Sequence, residues 1–450
     1  MTPCTVRELA AAVGGAILQD NGAVVPEVTT DSRRVPENAL FIPLVGERFD
    51  GHDYIGGALA QGAAGCLTAK MPETLVAGKC YIKVDDTRLA LKALASWYRR
   101  RFDIPVVQVT GSAGKTTTKE MIAHVLARKL STLKTQANFN NDIGTPLTLL
   151  GLAPHHEAAV IETGMNHFGE IRYLGEMVEP QIAVITNVGD AHIENLGGTR
   201  QGVFQAKCEI FEHLAEGGLA VLNGDDALLN TVTLPQTIVR CGRSGHCEAL
   251  VTDVEDRGIE GVGCTVTYRG ETYRLETDSP GRYMIYPMAM AAVIGQHLGL
   301  SAEDIRQGVK DYAPVGSRMR LSRCSGDRLI IDDCYNANPQ AMAEALTMLS
   351  TSRYSRRIAV VGDMGELGEL TEKAHRDTGV LTKELDLTAV VAIGVKMKAL
   401  TDGNGAALWF PDVKSAMDTV KELFTPHTAM LVKASHAMQF EHIVEELEKL

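Results

Sequence analysis

The sequence predicts an α/β protein of three domains, and three observations carry that prediction. At 450 residues the chain has the length of about three domains of roughly 150 residues each. Short apolar runs rich in β-branched residues recur along it, end in small or polar residues, and alternate with helical patterns, which predicts mainly parallel sheets covered by helices on both faces. A glycine-rich segment directly follows one of these runs and opens a helix, a context suited to binding an anion.

Composition sets outer limits. Apolar residues make up 45% and charged residues 22%, ordinary globular usage that lets each domain bury a core of its own. The opening stretch MTPCTVRELAAAVGG has a short apolar run and no basic leader, which makes it a poor signal peptide. It reads as a helix instead, with Thr5 and Glu8 spaced as a capping box and Gly14 and Gly15 as the stop. No run approaches the roughly 18 apolar residues of a membrane span, so a soluble, cytoplasmic chain without a membrane partner is expected. Nine scattered cysteines without a C-x-x-C pair indicate neither a disulfide framework nor a zinc site. The formal charge of -12 argues against nucleic acid as a partner, because binding to a phosphate backbone requires a basic face. Small-molecule substrates and a monomer are expected, and a polyanionic substrate must find its positive charge locally.

Residues 1–88 mix short helices with loops around TTDSRRVPENALFIPLVGERFDGHDYI and are expected to form a small N-terminal α/β module. The central domain is expected over 104–314, where PVVQVTG, AAVIETG, IAVITNVGDAH, LAVLNGDD and TIVRCG give strands and TTTKEMIAHVLARKL a helix. Ligands in such sheets bind at the carboxyl ends of the strands, so the polar residues there are the candidates. The stretch APVGSRMRLSRCSGD, with Pro314 and two glycines, marks a boundary. Beyond it, over 315–450, LIIDDCYNANP, RRIAVVGDMGELG, AVVAIG and AMLVKASHAM predict a second doubly wound, Rossmann-like sheet.

The strongest motif is VTGSAGKTTTKEM, which follows the strand expected from Pro105 to Val109. Gly111, Ser112, Ala113 and Gly114 let backbone amides approach phosphates, the helix N-terminus adds a favourable dipole, Lys115 can reach the β- and γ-phosphates, and Thr116, followed by Thr117, can hold Mg²⁺. The central domain is therefore expected to be a P-loop ATPase; the alternative is a glycine turn beside a chance lysine. The common pattern places a glycine where this chain has Val109, so the loop is a variant.

That variant, T-G-x-x-G-K-T-T, resembles the loop of the Mur ligase family, which includes the folylpolyglutamate synthases. The resemblance implies further roles in chain order. Glu162 in VIETGMN matches a carboxylate ligand of magnesium, and His192 in TNVGDAHIENLG a histidine at a second metal. Lys207 in QAKCEIF matches a lysine carbamylated in several members and turned toward magnesium. Arg318 in GSRMR and Asp333 in IIDDCYNANP match residues that reach the γ-phosphate and the ribose of ATP. Asp31, Ser32 and Arg33 match a stretch that holds the UDP part of the substrate, and Asn141 and Thr145 in NFNNDIGTP a segment facing its muramoyl part. Read without the resemblance, the glutamate is also a hydrogen-bonded structural group, the histidine a packed core residue, Lys207 a solvated helix lysine and Arg318 half of a surface ion pair.

The pair DDCYNANP and GDMGELGE, followed by His375, is similar to the C-terminal signature of members that add a dipeptide, and the D-N-P-R motif of those that add a free diamino acid is missing. The resemblance thus implies an ATP- and Mg²⁺-dependent ligase that joins D-alanyl-D-alanine to UDP-N-acetylmuramoyl-tripeptide through an acyl phosphate. A relative adding a single amino acid and a phosphate-loop switch that makes no bond are the alternatives. Two departures stand out. Where the family reads G-x-H-N-x-x-N-A, with asparagines at the adenine, this chain reads GRYMIYPMAM, with Tyr283, Met284 and Pro287 at those positions. Its K-G-S-R appears as KASHAM, with Ala434 for the glycine and His436 for the arginine, so a permanent charge becomes a titratable one.

Overall fold

In the computed structural model, which describes residues 1–450, the chain begins as its capping residues dictate. Thr5 and Glu8 bond reciprocally to start the helix Val6–Val13, and Gly14 ends it at φ 61°, a left-handed conformation that costs glycine no Cβ clash. The first sheet has five strands in the order Ala16–Gln19, Cys80–Lys83, Gly65–Thr68, Leu40–Phe41 and Val28–Thr29. Only its first pairing is antiparallel.

Asp86 caps the next helix, Thr87–Arg99, through the amides of Arg88 and Leu89. This helix belongs to two sheets at once. Its residues Leu91, Leu94 and Tyr98 share one apolar core with Leu9 and Ile82 of the first module and with Leu149, Ile161 and Met177 of the next. The Tyr98 hydroxyl donates to the carbonyl of Leu152 at 2.7 Å, and the buried Arg99 donates to Val178 at 3.1 Å, so the polar groups drawn into the seam are satisfied.

The central sheet has nine strands. Val106–Thr110 lies third from one edge, parallel to Ala158–Glu162, which is followed by the edge strand Thr132–Lys134, on one side and to Ile182–Ile185 on the other. Leu219–Asn223 and Thr237–Gly242 continue the parallel order, and Ala249–Asp256, Val262–Tyr268 and Glu271–Thr277 end it in an antiparallel meander. The parallel strands are buried on both faces, which is why they read as unbroken apolar runs. One face is covered by Lys115–Leu126 and Ile285–His297, the latter apolar all round because it packs against sheet and helices together.

The third sheet has six strands, in the order Arg320–Cys324, Arg328–Asp332, Thr428–Lys433, Arg356–Gly362, Ala389–Ile393 and Leu408–Phe410. The inner four are those expected from the apolar runs. The outer two, like the central meander, were not anticipated: Arg320–Cys324 pairs antiparallel, and both edges are short and partly exposed, so they lack a continuous apolar signature.

Truncating Tyr98 to alanine is expected to cost about 3–5 kcal/mol at the seam it fills and to split thermal unfolding into two transitions. Calorimetry checks this, and a single transition at the original midpoint would show that the first and central sheets do not share their stability.

Candidate functional site

The carboxyl ends of the central and third sheets face each other across a cavity of about 2180 Å³. On the central side its floor is the segment after Val106–Thr110. An ideal Cβ on Gly111 would stand 1.8 Å from Thr186 Oγ1, so only glycine lets these two strand ends approach. Asn187 Oδ1 accepts from the amides of Ser112 and Ala113 at 3.1 and 2.9 Å, and Ser112 Oγ accepts from Gly189 N at 2.8 Å. Two loop amides expected to meet phosphate are thus held by Asn187. The cavity wall continues through Gly114, Lys115, Thr116, Thr117 and Thr118 at the start of Lys115–Leu126; Thr118 N closes the first helical bond, to the carbonyl of Gly114 at 2.9 Å, and the amides before it are the ones a helix leaves without a partner of its own.

Lys115 donates to the carbonyl of Gly111 at 2.9 Å, which curls its amine over the loop. Burial lowers its pKa, the negative charge of Glu162 opposes that shift, and Arg318 adds to it. Glu162 ends its strand 1% exposed, and every polar atom of its carboxylate is occupied. Thr116 donates to Oε2 at 2.8 Å, Asn140 donates to Oε1 at 2.8 Å, and its amide donates to Thr135 Oγ1 at 3.0 Å.

Lys207 lies in the last turn of Arg200–Cys208 and is 2% exposed. Burial drives its pKa well below the usual lysine range, and the nearby charge of Lys115 drives it further. The alternative of a solvated helix lysine is excluded: the side chain turns into the protein. His192 sits at φ 61° with Nδ1 2.6 Å from Glu366 Oε2 of the third sheet's loop, off the line of a hydrogen bond. That contact holds the Glu366 carboxyl below its usual range.

From the third sheet, Arg318 enters the cavity over the ring of Tyr335, its guanidinium carbon 3.6 Å from the ring centroid. Asp333 follows the strand Arg328–Asp332 and accepts from the buried Lys433 and from Met319 N. Burial raises its pKa, against the pull of Lys433.

The remaining candidates lie apart from this floor. Asn141 lines the cavity, yet its Oδ1 accepts from the amides of Ile143 and Gly144 and so caps the helix Gly144–Leu150; Thr145 is fully buried inside that helix. Asp31 and Arg33 form an exposed bidentate pair in the first module, with the Ser32 carbonyl accepting from Gln61, and the pair lowers the Asp31 carboxyl to about 2. Asn140, Asn187 and Tyr335 were not singled out from the sequence, although all three lie inside the motifs quoted for their neighbours.

Three family models match in chain order: the Mur ligase family catalytic domain over residues 24–99, the Mur ligase middle domain over 109–295 and the Mur ligase glutamate ligase domain over 317–436. The chain belongs to the Mur ligase family. It is 34% identical to the UDP-N-acetylmuramoyl-tripeptide--D-alanyl-D-alanine ligase of Bacillus subtilis (strain 168), covering 98% of both chains. To the ligase of the same name from Escherichia coli (strain K12) it is 33% identical, over 100% of this chain and 99% of the other. Among solved structures, a MurF from Acinetobacter baumannii is 30% identical and superposes with a TM-score of 0.92 over 100% of this chain and 99% of that one. The MurF ligase of Thermotoga maritima in complex with ADP reaches 0.82 at 28% identity, covering 94% and 97%.

Against this family background the departure at GRYMIYPMAM gains a physical form. The Tyr286 hydroxyl donates to Asp225 Oδ2 at 3.0 Å, and Asp225 also accepts from the amides of Arg243 and Ser244, so neither side chain is free to read a base. Tyr283, Met284 and Pro287 line the same wall with aromatic and apolar surface, and Pro287 has no amide hydrogen. Discrimination of ATP from GTP is therefore expected to fall below the roughly ten-thousand-fold of a site built to hydrogen-bond its substrate. The ratio of the two kcat/KM values measures it, and a larger preference would mean that backbone groups read the base.

Proposed function

We propose that the chain joins D-alanyl-D-alanine to UDP-N-acetylmuramoyl-tripeptide with hydrolysis of ATP to ADP and phosphate, a step of peptidoglycan precursor synthesis. Identity of about a third over the whole length to ligases of that name supports the substrate assignment. The single observation that carries the chemistry is the cavity lining that joins Lys115 of the phosphate loop, the buried Glu162 and Arg318, with the buried Lys207 close to Lys115.

The tripeptide carboxylate attacks the γ-phosphorus of ATP and displaces ADP, the deprotonated amine of the dipeptide attacks the carbonyl of the resulting acyl phosphate, and the tetrahedral intermediate collapses to the amide with loss of phosphate and of the amine proton. Lys115 and Arg318 stand on opposite walls, where they neutralise charge on the transferring phosphoryl group; such preorganised charge is the main catalytic resource in phosphoryl transfer. Asp333 orients the ribose. Thr116 and Glu162 fit magnesium, because two oxygen donors converge 2.8 Å apart on the cavity floor, and no three His, Cys, Asp or Glu side chains gather there, which leaves the remaining positions to phosphate oxygens and water, as this cation prefers. Bound magnesium supplies a positive centre that offsets the repulsion between carboxylate and phosphate. His192 completes the metal-facing set from the rim, and Lys207 completes it from below as a carbamate. Asp31, Ser32 and Arg33 take the UDP end of the substrate, and Asn141 and Thr145 shape the muramoyl segment.

We assign the UDP-binding unit to residues 1–88, the ATP-binding unit to 104–314 and the dipeptide-binding unit to 315–450, acting in the cytoplasm as a monomer. No helix is long and apolar enough to cross a membrane. Bringing the units together excludes water from the acyl phosphate.

The test of the reaction is ADP release with UDP-N-acetylmuramoyl-tripeptide and, in turn, D-alanyl-D-alanine, free amino acids, or folate plus glutamate. Turnover with the dipeptide alone is expected. Lys115→Ala is expected to lower kcat by on the order of a hundred-fold or more, as for other lost electrostatic stabilisers, and a variant within two-fold of the parent would remove the loop from the mechanism.

Lys207 yields a separate prediction. An ammonium repels Mg²⁺, whereas a carbamate offers it two oxygens. Carbamylation needs a neutral amine, and burial together with the charge of Lys115 shifts Lys207 toward that form, whereas free lysine, with a pKa of about 10.4, is almost fully charged at neutral pH. Lys207→Ala should lose most activity, and formate or acetate should restore part of it by filling the oxygen site. Rescue by alkylamines in place of carboxylates would show that the lysine acts as a cation.

A further inference from the structure

The Arg318 guanidinium joins no ion pair; it lies flat against an aromatic ring instead. Its carbon is 3.6 Å from the Tyr335 centroid, close enough for van der Waals contact as well as attraction by the ring's negative face. Tyr335 also stacks with the His436 imidazole, at 5.3 Å between centroids with 26° between planes, and His436 is itself 3.1 Å from Glu441. The ring thus packs against two flat groups, which restrict its rotation. Its backbone is fixed as well, because the Tyr335 amide donates to the carbonyl of Ser317, the residue before Arg318. Two neighbouring segments of the third domain are pinned together so that one long, flexible cation keeps a single direction.

We propose that Tyr335 is a positioning residue that preorganises Arg318 for the phosphoryl group, and that the stacked His436 steadies that ring. The argument rests on the role proposed for Arg318. A free arginine side chain samples many rotamers, and a carboxylate clamp would fix it only by cancelling the charge that catalysis uses. An aromatic face fixes it and leaves the charge intact. Cation and ring are both needed, and the phenol hydroxyl is not.

The test uses the full chain with all three substrates. Tyr335→Phe should retain most of the turnover. Tyr335→Leu should lower kcat by roughly ten- to hundred-fold, the scale of a misplaced group, with KM for the tripeptide substrate and the dipeptide within about three-fold of the parent. In an Arg318→Ala background, the same Tyr335→Leu change should cost less than two-fold more, because the group being positioned is gone. In the parent protein, an arginine side-chain resonance shifted upfield by the ring current should be present and should vanish in Arg318→Lys, a measurement that needs no folded Tyr335 variant. Full additivity of the two substitutions, or the absence of any ring-shifted arginine resonance, would overturn the proposal. Unchanged turnover in Arg318→Ala alone would instead overturn the role of Arg318 while the resonance still reported the stack.

Discussion

One amine and one carboxylate share the floor of the cavity with a second, buried amine close by, and much of the surrounding structure follows from keeping them there. Burial disfavours the charge of both Lys115 and Lys207, and Lys115 pushes Lys207 further toward its neutral form. Positive charge for a polyanionic substrate is then supplied locally by Lys115 and Arg318, even though the chain as a whole carries -12. Thr116, Asn140 and Thr135 each bond to Glu162, and their agreement holds a desolvated carboxylate in one orientation that a looser site would not maintain.

Topology places these groups together without any of them being near in sequence. Val106–Thr110 is flanked by Ala158–Glu162 and Ile182–Ile185: the chain runs out to the edge strand Thr132–Lys134, returns through Ala158–Glu162, and then crosses to Ile182–Ile185 on the other side. A crevice opens at such a switch point, outside the carboxyl ends of the strands, and Gly111, Glu162 and Thr186 all emerge there. The third sheet repeats the device. Asp333 and Lys433 follow neighbouring strands and meet at their ends, so the cavity is built from two switch-like edges turned toward each other.

What the sequence revealed and what it concealed divide along physical lines. Strands buried on both faces announced themselves as apolar runs, and the capping box at Thr5 and Glu8 and the phosphate loop were legible because their function depends on local spacing. The meander from Ala249 to Thr277 is concealed, because its strands mix buried and exposed residues and so lack the unbroken apolar run of the parallel strands. The helix Thr87–Arg99 fell between the boundaries expected at 88 and 104, since sharing a core with two sheets is a property of packing that no pattern within the helix displays. In the site, side chains that act on one another across strand ends stayed hidden: Asn187 holding the loop, Asn140 holding Glu162, and Tyr335 under Arg318. Asn141 was legible as a site residue, but its side chain is committed to a helix cap.

The GDMGELGE segment shows how the separation of the two cationic walls is set at a distance from either. His375 fixes its start, accepting from the Met364 amide at 3.0 Å while donating to the carbonyl of Thr371. Glu366 then reaches His192 of the central domain, and both residues hold positive φ, 58° and 61°, a conformation that costs about 1–3 kcal/mol for a residue with a side chain. Gly368 passes so near that an ideal Cβ would lie 3.3 Å from Glu194. Strain on both sides of one contact persists only where surrounding packing over-determines it, and the bonds of His375, with Ser435 accepting from the Gly365 amide, provide that packing. Lys115 and Arg318 belong to different sheets, so no bond between them can fix their spacing. Such a docked loop can, because it ties the rim of one sheet to the rim of the other and leaves the charges between them free for the substrate.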